Sequence, residues 1–393
     1  MKVTLESICK ISTGQSAPQD SNAFSVEGTP FIRAGSLERL CRGERESSLE
    51  KINEESAKKF RLKLFPKGTI VFAKSGMSAM LGRIYQLKSP CYVVSHLATV
   101  SPLDENIIFS NYLEHWFRFN PPNRLIENAA YPSIKTSVIQ TLSISLPPII
   151  EQRRIAAILD KADELRQKRQ QAIEKLDQLL QATFIEMFGD PVSNPKGFDV
   201  KKLSEQVDLI QIGPFGTQLH QEDYIENGIP LINPSHIKNG KIVPNLKLSV
   251  SQSKYGELSQ YHLKLNDVLL GRRGEMGRCA VVTKKEVGWL CGTGSLFLRP
   301  NVEKINPFFL EMLLSSDSIK RYLENVSQGQ TMANLNKTIV ESIPLIAPSI
   351  EIQNKFFLIS EEIDKMKTEL ENARNQINNL FQSLQNQAFS GTL

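Results

Sequence analysis

Few groupings in this 393-residue chain could do chemistry, and each falls short of what the chemistry needs. Gly68-Thr69-Ile70-Val71-Phe72-Ala73-Lys74-Ser75 comes within one residue of a phosphate-binding loop, with Ala73 where the second glycine belongs. Such a loop must pass from a strand through a glycine turn into a helix, so that backbone amides cradle the phosphate and the lysine reaches it. Here β-forming residues fill the loop, and Gly76, Gly82 and polar residues follow in place of a helix. Asn233-Pro234-Ser235-His236 lacks the aromatic residue that would stack on an extruded base, and no glycine loop for S-adenosylmethionine precedes it. Gly271-Arg272-Arg273-Gly274-Glu275-Met276-Gly277 is a glycine-rich turn without dinucleotide context. The five histidines (His96, His115, His220, His236, His262) have no metal-ligand spacing. No Gly-x-Ser-x-Gly elbow is present. Paired carboxylates such as Asp163-Glu164 and Glu361-Glu362 lie on predicted helix faces, where solvent is their partner. The reading is a binder or scaffold, with no catalytic and no metal-binding residue.

The elements that would position a binding site occur twice, about 200 residues apart. Lys67-Gly68-Thr69-Ile70-Val71-Phe72-Ala73-Lys74-Ser75-Gly76-Met77 returns loosely as Asn266-Asp267-Val268-Leu269-Leu270-Gly271-Arg272-Arg273-Gly274-Glu275-Met276. Ile126-Glu127-Asn128 is echoed by Leu323-Glu324-Asn325. A proline-closed strand, Ile144 to Gln152, returns as Ile343 to Gln353, and each copy then opens into a long helix. A period this long means a duplicated domain pair and not a solenoid array. Short β-like runs (Gly68–Ala73, Tyr92–Val94, Leu97–Val100, Leu142–Leu146) alternate with Gly, Pro and Ser clusters in the first copy. The second has the same grammar: Leu231–Asn233, Val268–Leu270, Ala280–Val282 and Ser295–Leu298. Helices are expected at Asn106–Phe119 and Pro307–Ser315. The fold class is α+β: two similar globular domains, each followed by a long helix.

In the second long helix apolar residues fall at Ile352, Phe356, Ile359, Ile363, Met366, Leu370, Ala373, Ile377, Leu380 and Leu384, an unbroken heptad seam. The first has Ile155, Ile158, Ala162, Leu165, Arg169, Ala172, Leu176 and Leu179, with Arg169 interrupting it. Two such helices in one chain pair most simply with each other, antiparallel, giving a pseudo-twofold molecule. A helix of some 35 residues is about 50 Å long, so the two domains would sit more than one DNA turn apart, a turn being about 34–36 Å. The boundaries are 1–147 and 191–347 for the domains, 148–190 and 348–393 for the helices.

Composition is that of an ordinary soluble protein. No apolar run of 18 or more residues suggests a membrane span, and Met1-Lys2-Val3-Thr4-Leu5-Glu6 lacks a signal peptide's apolar stretch. Five scattered cysteines without a Cys-x-x-Cys pair point to reduced thiols in a cytoplasm. Residues 1–147 carry 18 Lys+Arg against 13 Asp+Glu, and residues 191–347 carry 18 against 15, so the positive surplus sits in the domains. That suits a polyanion partner.

These features together resemble the DNA-specificity (S) subunit of Type I restriction–modification enzymes. The residues that carry the resemblance are Pro147-Pro148-Ile149-Ile150-Glu151-Gln152 opening the first helix and Phe188-Gly189-Asp190-Pro191 closing it. The strand Asn266-Asp267-Val268-Leu269-Leu270 and Pro348-Ser349-Ile350-Glu351-Ile352-Gln353 opening the second helix add to it. The resemblance spans the whole chain. It implies two target-recognition domains reading a split DNA site, with the helices as ruler and as docking surface for two methyltransferase (M) subunits. Two motor-nuclease (R) subunits would complete the complex. S-adenosylmethionine, ATP and magnesium would belong to those partners, and this chain would hold no cofactor. The copies diverge at Ala129–Lys135 against Gly329–Leu335, as two heads reading different half-sites should.

Base edges are matched mainly by Arg or Lys on guanine and Asn or Gln on adenine, while phosphate contacts fix register. Loops on a rigid scaffold present such groups. The candidate DNA-binding residues are therefore Arg33, Lys74, Ser75, Arg83, Tyr131 and Lys135 in the first domain. In the second they are Thr217, Arg272, Arg273, Arg278, Thr331, Asn334 and Lys337, with Arg272 and Arg273 the strongest pair. Two other readings compete: an oligomerising scaffold without salt-dependent DNA affinity, and a fused enzyme with an unrecognised site.

Overall fold

The computed structural model describes residues 1–274, 276–327 and 334–390. Two compact units emerge: Met1–Gln171 together with the chain from Glu371, and Ala172–Leu370.

In the first unit the apolar run Ile70–Ala73 forms a strand buried on both faces. Its neighbours are Leu97–Pro102 on one side and Ile84–Gln86 on the other, and Cys9–Thr13 completes an antiparallel sheet of four. Successive side chains of a strand point to opposite faces, so this strand divides two cores. Ile70 and Phe72 pack with Tyr112, Leu113, Phe117, Ile155 and Leu159, the helical side. Val71 and Ala73 pack with Phe31, Ile32, Phe65 and Val93. That second core is closed by a smaller sheet ordered Phe24–Ser25, Lys51–Ile52, Thr29–Ile32, Tyr92–Val93, its last pair parallel.

The second unit repeats this order strand for strand. Val207–Ile212, Ser295–Pro300, Val268–Gly271 and Cys279–Val281 make the larger sheet. Tyr224–Ile225, Ser249–Val250, Ile229–Ile232 and Leu290–Cys291 make the smaller one, again with a parallel last pair. Val268 and Leu270 face one core and Leu269 the other. One departure from the expected repeat is local. Leu323–Asn325 lies within the helix Asp317–Ser327, but Ile126–Asn128 follows only a short turn, Pro122–Leu125.

The long helices run Ile149–Phe188 and Ile350–Ser390. Gly189, at φ 73°, ends the first in a left-handed turn that favours glycine. Within the first unit Arg166 Nε donates to Asn378 at 2.9 Å and Arg374 to Gln170 at 2.8 Å. Four residues forward on one helix match four backward on the other, so the pair is antiparallel. Arg166 also lies over the Phe381 ring. Within the second unit Asp177 accepts from Lys367, and Phe184 meets Phe356, the same opposed sense.

The buried line is not the heptad seam throughout. Ile352, Met366 and Leu380 face outward, as do Leu165 and Leu179. The seam positions Phe356 and Ile363 are buried, joined by Gln353, Phe381 and Gln385 from beside the seam. A straight α-helix drifts about 20° per heptad from a 3.5-residue repeat, which carries some seam positions out and brings their successors in.

Each unit is stitched to its helix by one buried glutamine. Gln152 accepts from the Phe109 N–H and donates to the Ile107 and Pro147 carbonyls, all at 2.9 Å. Gln353 accepts from the Asn306 N–H at 2.9 Å and donates to the Lys304 and Pro348 carbonyls. Beyond these, the units hold their helices differently. In the first, His115 meets Asp160 at 2.7 Å and Arg118 bridges Glu114 and Asp163. In the second, the rings of Phe184, Phe188, Phe309 and Phe356 pack against one another in tilted and edge-to-face pairs.

Candidate nucleic-acid interface

Five of the candidate residues, Lys74, Ser75, Arg272, Arg273 and Asn334, lie where a central strand of each larger sheet ends. In the first unit that strand stops at Ala73. The Lys74 N–H donates to the His96 carbonyl at 3.0 Å, and the Lys74 carbonyl accepts from the Ile134 N–H at 2.8 Å. Ser75 pairs with Ser133 in a one-residue antiparallel bridge, and Gly76 follows at φ 75°. In the second unit the Arg272 N–H donates to the Gly294 carbonyl at 3.0 Å, and its carbonyl accepts from the Leu335 N–H at 3.0 Å. Arg273 pairs with Asn334, and Gly274 follows at φ 79°. The two sites share one backbone frame, and a left-handed φ explains the glycine that closes each.

The frame carries different side chains in the two units. Lys74 corresponds to Arg272, Ser75 to Arg273, His96 to Gly294 and Ser133 to Asn334. Asn233, whose counterpart is Arg33, accepts from the Gly294 N–H at 3.2 Å. A turn closed by Leu97 N–H to Val94 carbonyl in the first unit matches Ser295 N–H to Gly292 carbonyl in the second.

Within the first unit Lys74 and Ser75 are half-buried, and Tyr131 is 82% exposed. Lys135 is exposed just ahead of the short helix Thr136–Gln140. Arg33 pairs with Glu50 at 2.8 Å and lies over Phe24. Arg83 pairs with Glu38 at 3.1 Å, on a helix that packs over the sheet edge. Exposed pairs of this kind are worth little, so both guanidiniums can exchange a carboxylate for a phosphate.

Within the second unit Arg272 and Arg273 part company. Arg272 is only 8% exposed and donates through Nε to Asn334 Oδ1 at 3.0 Å. Burial, then the adjacent Arg273, lowers its pKa, yet an arginine keeps its charge in a protein. Arg273 is exposed. Arg278 reaches the Pro234 carbonyl at 3.5 Å. Lys337 opens the helix Lys337–Glu341 and lies 3.9 Å from Glu341. Thr217 falls in the turn Gly216–Gln218, away from this frame in sequence. Thr331 lies outside the described residues, with most of the Gly329–Leu335 loop.

The near-phosphate-loop is the strand and its bounding turns. One correction applies: a helical turn, Met77–Met80, does follow Gly76. Four residues make barely one turn of helix. Asn233-Pro234-Ser235-His236 is a capped turn in which the Asn233 N–H donates to His236 Nδ1 at 3.3 Å. Sequence reasoning missed His96 and Asn233 as members of the frame. Their only signal was a position just after a strand that pairs in parallel with its neighbour.

A family model described as Type I restriction modification DNA specificity domain matches residues 1–175 and again 195–379. The MjaIX specificity subunit of a type I restriction enzyme from Methanocaldococcus jannaschii is 26% identical over 340 residues, 81% of this chain and 74% of that protein. The EcoKI specificity subunit from Escherichia coli is 22% identical, over 84% of this chain and 76% of its own. Among solved structures, the type I restriction-modification S subunit from M. genitalium has a TM-score of 0.60 at 16% identity. It covers 99% of this chain and 96% of its own.

Proposed function

From the premise that this chain belongs to the type I restriction–modification DNA specificity family, we propose that it reads a split DNA site through its two units and docks methyltransferase subunits on its helices. The observation that carries this reading is the duplicated frame with different side chains. One backbone geometry presents Lys74, Ser75 and His96 in one unit and Arg273, Asn334 and Asn233 in the other. Two heads alike in fold and unlike in donors and acceptors are what an asymmetric two-part site requires.

Roles divide by placement. Lys74, Lys135, Arg273 and Lys337 are placed to neutralise phosphates, the sequence-independent share of affinity. Tyr131 and Asn334 are placed to meet base edges. Arg272, buried, orients the Asn334 amide by donating through Nε to its Oδ1. Arg33 and Arg83 hold carboxylates until DNA competes for them.

The methyltransferase subunits have an apolar surface to meet. Within the second unit a groove of about 530 Å³ runs along the helix pair, lined by Leu179, Leu358, Ile359, Ile363 and Met366 with Lys355 and Glu362. Leu358 is 60% exposed. Apolar patches rimmed by charge mark protein contacts. On this proposal S-adenosylmethionine, ATP and magnesium belong to the partners, and this chain contributes recognition. Co-expression with a type I methyltransferase subunit, followed by mapping of methylated adenines, tests the proposal. A gapped two-part motif supports it. Methylation by this chain alone, or a single contiguous motif, contradicts it.

A further inference from the structure

His96 has no part in the roles assigned above, yet it stands at the centre of the first frame. It occupies the third position of the turn Val94–Leu97 and is exposed. Its backbone carbonyl receives the Lys74 N–H. Its Nδ1 lies 3.1 Å from Ser75 Oγ. Among the described residues nothing bonds Nε2. The imidazole is thus held at one nitrogen and presented at the other.

The second unit shows that this side chain is an option of the frame and not a structural need. The equivalent turn runs Gly292 to Ser295 and has Gly294 in place of His96. A Cβ at Gly294 would come 2.9 Å from Pro234 Cδ, and one at Gly292 would come 2.5 Å from Asn233 Oδ1. Parallel pairing of Phe31 with Tyr92 and of Leu231 with Leu290 sets the two units in register, so Ala34 stands where Pro234 does. A small residue there leaves the turn room for a side chain, while the proline and Asn233 fill that room in the other unit. The same backbone therefore offers an imidazole on one side and an asparagine amide on the other.

We propose that His96 is a specificity-determining residue of the first unit, reading a major-groove base edge through Nε2, with Ser75 as its positioning residue. This rests on the specificity-subunit reading. In this assignment the Ser75 hydroxyl, 3.1 Å from Nδ1, donates to it, which leaves the ring proton on Nε2. A lone N–H donor matches purine N7, guanine O6 or thymine O4 and has no partner on the cytosine edge.

The test uses the full chain co-expressed with its methyltransferase subunit, reading the methylated motif genome-wide. His96→Ala should admit further bases at one position of the half-site that follows residues 1–147, with discrimination there falling about tenfold or more. The other half-site should stay unchanged. Ser75→Ala should relax the same position more weakly, and Ser75→Thr, which keeps the hydroxyl, should restore it. Because His96 is exposed, its truncation should leave the unfolding transition of the first unit where it was. An unchanged motif in His96→Ala overturns the assignment. So does a uniform fall in methylation across sites with the motif unchanged, which would make His96 a phosphate or structural contact. Failure of the unaltered chain to give any two-part motif would instead overturn the specificity reading, and this assignment with it.

Discussion

Replacing Gln152 by alanine should loosen the first unit and leave the second untouched. The Gln152 side chain is fully buried and makes three bonds, all to backbone groups. Truncation strands the half-buried Phe109 N–H, and a stranded donor costs about 1–3 kcal/mol where water does not replace its partner. The two carbonyls lose a donor as well, a milder loss because carbonyls tolerate partial satisfaction better. Together with the lost packing, a total near ~3 kcal/mol follows. The chain has two tryptophans, and they report separately: Trp116 is buried in the first unit and Trp289 packs in the second. In a Trp289→Phe background the Trp116 fluorescence transition in urea should move down by about 1–2 M, taking a slope of ~2 kcal/mol/M. In a Trp116→Phe background Gln152→Ala should not move the Trp289 transition. Gln152→Glu should cost as much, since a carboxylate would face two carbonyl oxygens. A Trp116 shift worth under about 0.5 kcal/mol, within the range of ordinary surface substitutions, would refute the reasoning, as would an equal shift of both transitions.

Other perturbations separate the remaining contributions. Phe188→Ala removes a fully buried ring that touches Phe184, Phe309 and Phe356, and should cost the Trp289 transition about 3–5 kcal/mol. Glu311 has its pKa pushed up to about 7 by burial, against smaller opposing effects of Cys279 and Lys320. Its folded form therefore holds a proton that the unfolded chain releases near its ordinary value. Stability from this group is present below the ordinary carboxyl range and lost as pH rises from there through about 7, on the order of 3 kcal/mol. Glu311→Gln should flatten that decline in urea midpoints taken from pH 5 to pH 8. Arg273→Ala should reduce the salt slope of DNA binding by about 1 and weaken all sequences alike. Arg272→Ala should keep the slope and relax the second half-site.

The repeat was legible because both copies bury the same strand on two faces, so Ile70–Ala73 and Val268–Gly271 read as unbroken apolar runs. The parallel pairing of Thr29–Ile32 with Tyr92–Val93 was not, since two residues of ladder leave no periodicity to detect. The helix seam was legible in kind but not in register. A heptad count assumes a supercoil, and the pair is bridged at Arg166, Gln170 and Asp177 by polar contacts that no apolar pattern reports. Of the candidate site, Lys74, Ser75, Arg272, Arg273 and Asn334 are gathered at the strand ends. Their spacing could not say that Arg272 is buried and bonded to Asn334, because burial there depends on residues more than 60 positions away. His96 escaped notice because a lone histidine has no motif, and its meaning comes from the turn it shares with Gly294.

The most direct measurement of the central claim is an exchange of heads. Residues 1–147 would be replaced by the corresponding unit of a relative, and the adenine methylation pattern mapped in the complex with the methyltransferase subunit. The account predicts that one half of a gapped motif changes to the donor's while the other half and the gap stay as they were. A motif unaffected by the exchange, or one changed in both halves, would contradict it.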